Sequence, residues 1–104
     1  MPRWIALATE RLTVDATSGG VGFAEDIAAT PGIERAVCKV ETAQVRVQTE
    51  PDTTLTQGGA EGSSLWNVGD SFNVTGQEDM KNFKAIRTGG SSGALSVTFE
   101  GTRV

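Results

Sequence analysis

Apolar and polar residues alternate in short runs along this chain, and clusters of turn-forming residues separate the runs. Trp4-Ile5-Ala6-Leu7 is an opening apolar stretch, and Leu12-Thr13-Val14 follows with alternating polarity. Ser18-Gly19-Gly20 supplies a turn, after which Val21-Gly22-Phe23 reads as a brief strand. Ala24 to Thr30 has the composition of a helical turn. Pro31, which cannot continue a helical ladder, and Gly32, which accepts positive φ, would end it. So short a helix is marginal alone, and a loop is the alternative.

The most informative segment runs from Arg35 to Val47. Ala36, Cys38 and Val40 share one parity while Arg35, Lys39 and Glu41 share the other, which predicts a strand with one apolar face. Beyond Thr42-Ala43 the apolar residues are Val45 and Val47, so the parity has flipped. Side chains of a strand alternate strictly, so the flip requires a tight hairpin or a bulge. Thr42-Ala43 lacks the Asn-Gly or Asp-Gly chemistry of a two-residue hairpin, and the expectation is a bulged strand crossing from one sheet to another.

Glu50 to Ser64 is polar, rich in Thr and Gly, and reads as one long loop. Leu65-Trp66 ends it, Gly69-Asp70 turns the chain, and Phe72-Asn73-Val74 alternates again. Thr75 stands three residues before Glu78, the spacing of a capping box that would start one helical turn through Gln77 to Asn82. Phe83 to Thr88 reads as extended and Gly89 to Gly93 as a hairpin loop. Leu95, Val97 and Phe99 mark the clearest strand. About eight short strands at near-regular spacing predict an all-β fold, a small antiparallel β-sandwich of jelly-roll type with one or two helical turns. The chain leaves no room for the helical crossovers of a parallel α/β fold.

Length sharpens this to one domain over residues 1–104, with no repeat or dividing linker. Residues 1–8 are either an extended N-terminal arm that docks elsewhere or the first strand. Thirteen glycines against three prolines match a fold with many reversals. The charge of −4, without a basic run, provides no footprint for nucleic-acid phosphates. Lys81, Lys84 and Arg87 fall close together and read as a solvated rim. A lone cysteine, Cys38, excludes an intramolecular disulfide framework. No apolar run approaches the length of a membrane span, and the apolar stretch near Met1 is too short for a signal peptide, so the chain reads as soluble and made in the cytoplasm.

Catalysis is hard to assemble from these residues. There is no histidine, the commonest general base and zinc ligand, and no tyrosine. Cys38 alternates with Ala36 and Val40 on an apolar face with no imidazole to activate it, so it reads as core. The pairs Glu25-Asp26 and Glu78-Asp79 point in different directions on short helices and read as complements to the helix dipole. Gly89 to Gly93 lacks the lysine and following helix of a phosphate-binding loop. Asn73-Val74-Thr75 matches a glycosylation sequon by short coincidence. The expectation is a non-enzyme with no catalytic residues, cofactor or metal. Trp4 and Ile5 at the chain end, and Trp66 at the end of the long loop, are the candidate interface residues, since an exposed Trp is a frequent interface anchor. Trp66 serves equally as a lid on the core.

Four segments in order carry a resemblance: Arg35 to Thr49, Asn67 to Val74, Asn82 to Thr88 and Gly93 to Phe99. They are similar to small β-sandwich structural proteins of tailed-phage virions, which show an apolar-x-apolar-Glu-x-Ala-x-apolar-Arg strand, a Gly-Asp turn and a Lys-Ala-Ile-Arg strand before a short apolar strand. About two-thirds of the chain is covered. Glu50 to Leu55 departs from the Asp-Gly-Thr and Pro-Thr turn common in the family, which affects the loop more than the fold. The resemblance implies a capsid decoration (cement) protein on the outer capsid surface of the virion, or a head-tail or tail accessory part. Its partner would be the major capsid protein, as a homo-oligomer, with a trimer expected, and with neither nucleic acid nor membrane involved. The alternative is a tail or fibre accessory module that binds a receptor or carbohydrate. A cupin-like enzyme would want the histidines this chain lacks, and a pilin-like adhesion subunit would want a secretory segment.

Overall fold

The computed structural model describes residues 3–17, 19–24, 32–49, 54–58 and 62–103. In chain order these form β1 (Arg3–Val14), β2 (Arg35–Glu41), β3 (Val45–Gln48), β4 (Ser64–Trp66), β5 (Ser71–Thr75), α1 (Gln77–Asn82), β6 (Lys84–Arg87) and β7 (Gly93–Arg103). The strands make two antiparallel sheets, one of four strands in the order β1-β7-β2-β5 and one of three in the order β4-β3-β6. The fold is all-β, with seven strands among the described residues where about eight are expected. The candidate helix at 24–30 falls almost wholly outside the described residues, as do Glu25 and Asp26.

The four-stranded sheet follows the alternation closely. Ala36, Cys38 and Val40 of β2, Phe72 and Val74 of β5, and Leu95, Val97 and Phe99 of β7 are all buried, with polar residues between them except at Val37. In β1 the two runs separated in the sequence are one strand. The register against β7 shifts between Ala6 and Ala8, so Leu7 is the extra residue of a β-bulge. Beyond the bulge Ala8 and Leu12 pack against the core on the same parity as Val14. The stretch from Arg3 to Ala8 is paired with β7 throughout, so it is strand and not a detached arm.

The chain leaves this sheet at Thr42, as the parity flip requires, but by a tighter device than a bulge. Ala43 N–H donates to Glu41 C=O at 2.9 Å across a Thr42 with φ of 71°, which is a γ-turn with positive φ. That backbone is strained for a β-branched residue. The Thr42 hydroxyl donates to Ser92 C=O at 3.1 Å, tying the corner to the β6–β7 connection. A Cβ at Gly93 would lie 2.6 Å from Val45 Cγ1 and 2.9 Å from Ala43 C=O, so the corner packs on a residue with no side chain. The Gly89–Gly93 segment is not a hairpin loop, because β6 and β7 belong to different sheets.

The three-stranded sheet buries side chains on both faces. Val45, Val47 and Ala85 face the core shared with the larger sheet. On the other face Ile86 is 2% exposed and Leu55, from the polar loop, is 0% exposed. Gly20 makes that cover possible, since its φ is 87° and Leu55, Lys84 and Ala85 crowd the place a Cβ would occupy. Val21, expected to start a strand, makes only an isolated bridge to Ala85. Between the sheets the aromatic rings form a row. Trp66 stacks on Phe72 (4.8 Å), Phe72 lies 6.2 Å from Phe83, Phe83 stacks on Phe23 (4.2 Å), and Phe23 meets Phe99 edge-on (5.2 Å).

Helix α1 begins where the spacing places it, but no capping box forms. Thr75 is the last residue of β5, opposite Arg35, and Gly76 at φ 91° takes the N-cap without a side-chain bond. Glu78 and Asp79 occupy the first turn, where they complement the dipole, and Met80 fills the core at 1% exposure.

Candidate functional site

Exposed apolar side chains collect at the sheet margins. Among the described residues the large ones are Trp4 (42%), Leu7 (41%), Leu65 (47%) and Val68 (58%). Trp4 and Leu7 sit on β1, the outer strand of the larger sheet, and Leu65 sits on β4, the outer strand of the smaller one. Trp66 of β4 stacks on Phe72 of β5, whereas Arg87 of β6 donates its N–H to Asp15 C=O just beyond β1. The two pairs therefore lie on opposite edges of the stack.

Val68 is held out by a turn. Asp70 N–H donates to Asn67 C=O and Gly69 has φ of 92°, the geometry of a type II turn with Val68 at its second position. The Asp70 carboxylate accepts Asn67 N–H at 2.8 Å, and the turn is pinned to β2 through Val40 N–H and C=O. Trp66, a candidate interface residue, is half-buried against Phe72, and its Nε1–H donates to the Ser64 hydroxyl at 3.1 Å. It is the lid of the core in this structure. A small hollow of about 190 Å³ lies beside it, lined by Val47, Phe72, Phe83 and Asp79 among others.

On the opposite edge Trp4 is not loose. The Arg35 guanidinium lies over its ring, with Cζ 3.6 Å from the ring centroid. Arg35 Nε in turn donates to Glu100 Oε1 at 2.7 Å, in a pair whose side chains are only 23% and 20% exposed. Ile5, the other candidate there, is half-buried opposite Gly101. Beside Trp4 opens a cleft of about 550 Å³ lined by Gly32, Ile33, Glu34, Thr75, Gly76, Gln77 and Thr102. Glu34 Oε2 accepts from both Thr102 N–H (2.9 Å) and its hydroxyl (2.6 Å), and Gln77 Nε2 donates to Ile33 C=O at 3.3 Å. Sequence reasoning found the aromatic but missed Arg35, Glu100, Glu34 and Gln77, which carry no local signal.

Cys38 is a core residue as expected, 0% exposed, with its thiol pushed up to about 12 by burial and then by the charge of Glu10. The basic triplet does not form a uniformly solvated rim, because Arg87 Nε is buried without a hydrogen-bond partner while Lys81 is exposed. Among the described residues no group of three or more His, Cys, Asp or Glu is placed to hold a metal ion. No helix among them is long and apolar enough to cross a membrane.

The fold and its margins define a class, a small all-β domain of two antiparallel sheets on one core with apolar residues displayed at its edges. No family model, curated protein or solved structure matches the chain.

Proposed function

We propose that this protein is a structural component of a tailed-phage particle, a capsid decoration protein that binds the major capsid protein and stabilises the shell. The observation that carries the docking part is the exposed pair Leu65 and Val68, presented by a three-residue edge strand and a pinned turn. Apolar surface left in water forfeits about 25 cal/mol per Å², which docking recovers. Rigid presentation lowers the ordering cost of binding. The choice of partner rests on the resemblance of the four ordered segments, and the net charge of −4 suits an outer surface better than a DNA-lined interior. Many copies on one shell need only modest affinity each. The reading assigns the protein no reaction and no cofactor.

The test is cosedimentation of the purified protein with shells of the phage that encodes it, before and after expansion, with light scattering of the protein alone. Saturable binding at a fixed ratio to the major capsid protein is expected. The double variant Leu65→Asp, Val68→Asp should lose it while its circular dichroism stays unchanged. Absence of binding to either shell would move the assignment to a tail or fibre part.

A further inference from the structure

We propose that the cleft beside Trp4 is a binding site for a neutral saccharide. It stands apart from docking through Leu65 and Val68, neither of which lines it.

An indole exposed at 42%, like that of Trp4, would ordinarily lose little by moving, yet this one is clamped. Arg35 covers one face of the ring, and Glu100, 65 residues further along the chain, fixes Arg35. Trp4 is also one of the residues that line the cleft. A held aromatic plate lowers the ordering cost of binding, and it receives the C–H face of a sugar ring by apolar contact.

The polar groups around the plate are mixed in kind. Trp4 and Thr75 are both exposed and line the cleft, so the indole N–H and the Thr75 hydroxyl are open to a ligand in place of water. Gln77 spends its Nε2 on Ile33 C=O, which leaves its amide oxygen to accept. Glu34 uses Oε2 twice on Thr102 and keeps Oε1 available. Donors and acceptors alternating about an aromatic face match a set of hydroxyls, each of which both donates and accepts.

Charge narrows the ligand further. A phosphate or carboxylate entering the cleft would meet the Glu34 carboxylate, and the Arg35 guanidinium that would draw it is already paired with Glu100. A cation stacking on the indole would meet the Arg35 guanidinium already 3.6 Å from its centroid. Like charges at such distances disfavour both. A neutral polyhydroxylated ligand has neither conflict. The volume of about 550 Å³ lies within the range of small-ligand sites.

The chain has two tryptophans, so the nitrogen–proton correlation spectrum of the intact protein carries two indole signals, assigned by a Trp4→Phe variant. Four-unit cello-, malto-, xylo- and chito-oligosaccharides would be titrated to millimolar concentration. One or more is expected to move the Trp4 indole signal saturably while the Trp66 signal stays in place. Trp4→Ala should weaken that binding at least tenfold while the circular dichroism of the folded protein is kept, and Arg35→Lys should weaken it severalfold by releasing the ring. A Trp4 signal unmoved by all four sugars overturns the proposal. So does binding that survives Trp4→Ala, or a Trp4 signal that moves only on adding shells, which would make the indole a protein contact instead. None of these outcomes touches shell binding by the Leu65 and Val68 edge, which cosedimentation reads separately.

Discussion

The two sheets of this protein are stabilised in different ways. In the larger sheet each long strand has one core face and one polar face, so Cys38, Val97 and Phe99 are buried while Lys39, Ser96 and Thr98 point outward. In the smaller sheet the strands are three or four residues long and bury side chains on both faces, with Val45 and Ala85 inward and Ile86 under Leu55 outward. A three-stranded sheet that short has too little surface to stand on one face alone. It is held from below by the shared core and from above by a loop that a composition-based reading takes for solvent-exposed chain. The lesson is that the larger sheet needs burial on one face only, whereas the smaller one depends on cover on both.

The largest test of that contrast is Phe83→Ala. Phe83 leads into β6 and its ring meets Phe23 and Phe72 in the row between the sheets. Removing it should cost about 3–5 kcal/mol in urea denaturation. Amide exchange should quicken in both sheets together; if the larger sheet kept its protection, the two would not share one cooperative core.

Leu55→Ala sharpens the comparison, because it strips the outer cover and leaves the shared core intact. We expect about 2–3 kcal/mol, at the low end for a buried leucine since the site is near the surface and can partly collapse. The loss should be local, with exchange accelerating in β3 and β6 while β1, β2 and β7 stay protected. Uniform acceleration would mean that the outer cluster is part of the main core.

Cys38→Ser probes the larger sheet with a change of one atom. A hydroxyl placed among Val97 and Phe72, its neighbours across the two adjoining strands, would lack a partner and cost about 1–3 kcal/mol. Because burial pushes the thiol up to about 12, a disulfide reagent should leave native Cys38 unmodified at neutral pH and label it only on unfolding. Rapid labelling of the native protein would show that the strand opens on its own.

The smallest effect concerns the turn after β1. The Asp15 carboxyl sits below its ordinary value, first because the Thr17 hydroxyl donates to it and then because the Thr17 N–H does. A lowered folded value means that the contribution is present above the unfolded carboxylate value and lost as pH falls through the folded one. The difference in melting temperature between wild type and Asp15→Asn should therefore be present at neutral pH and close in acid. A gap that widened in acid would have the wrong sign for this turn.

Legibility followed the same division. Alternation revealed β2, β5 and β7, and the Gly69-Asp70 turn, because each depends on neighbours two to four residues away. It also placed Cys38 in the core and located the crossing between sheets at Thr42. It could not show that β1 is continuous, since a bulge at Leu7 breaks the parity that would announce a single strand. Nor could it find Leu55, an isolated apolar residue in a polar segment whose partner Ile86 lies far along the chain. At the candidate sites the sequence flagged Trp4 and Trp66 as large apolar residues at element ends but left their roles open. Packing decided them, clamping Trp4 beneath Arg35 and closing Trp66 onto Phe72.

What the sequence determined by itself was the all-β class, the inward face of the long strands and the places where the chain must turn. These follow from strict side-chain alternation and from the φ preferences of Gly, which are local properties of the backbone. Only the tertiary structure decided which strands share a sheet, what covers the second face of the smaller one, and which polar groups gather round Trp4. Those outcomes depend on contacts such as Arg35 with Glu100 and Glu34 with Thr102, 65 and 68 residues apart. No local pattern encodes them, because the energy that selects them appears only once the sheets have closed on one another.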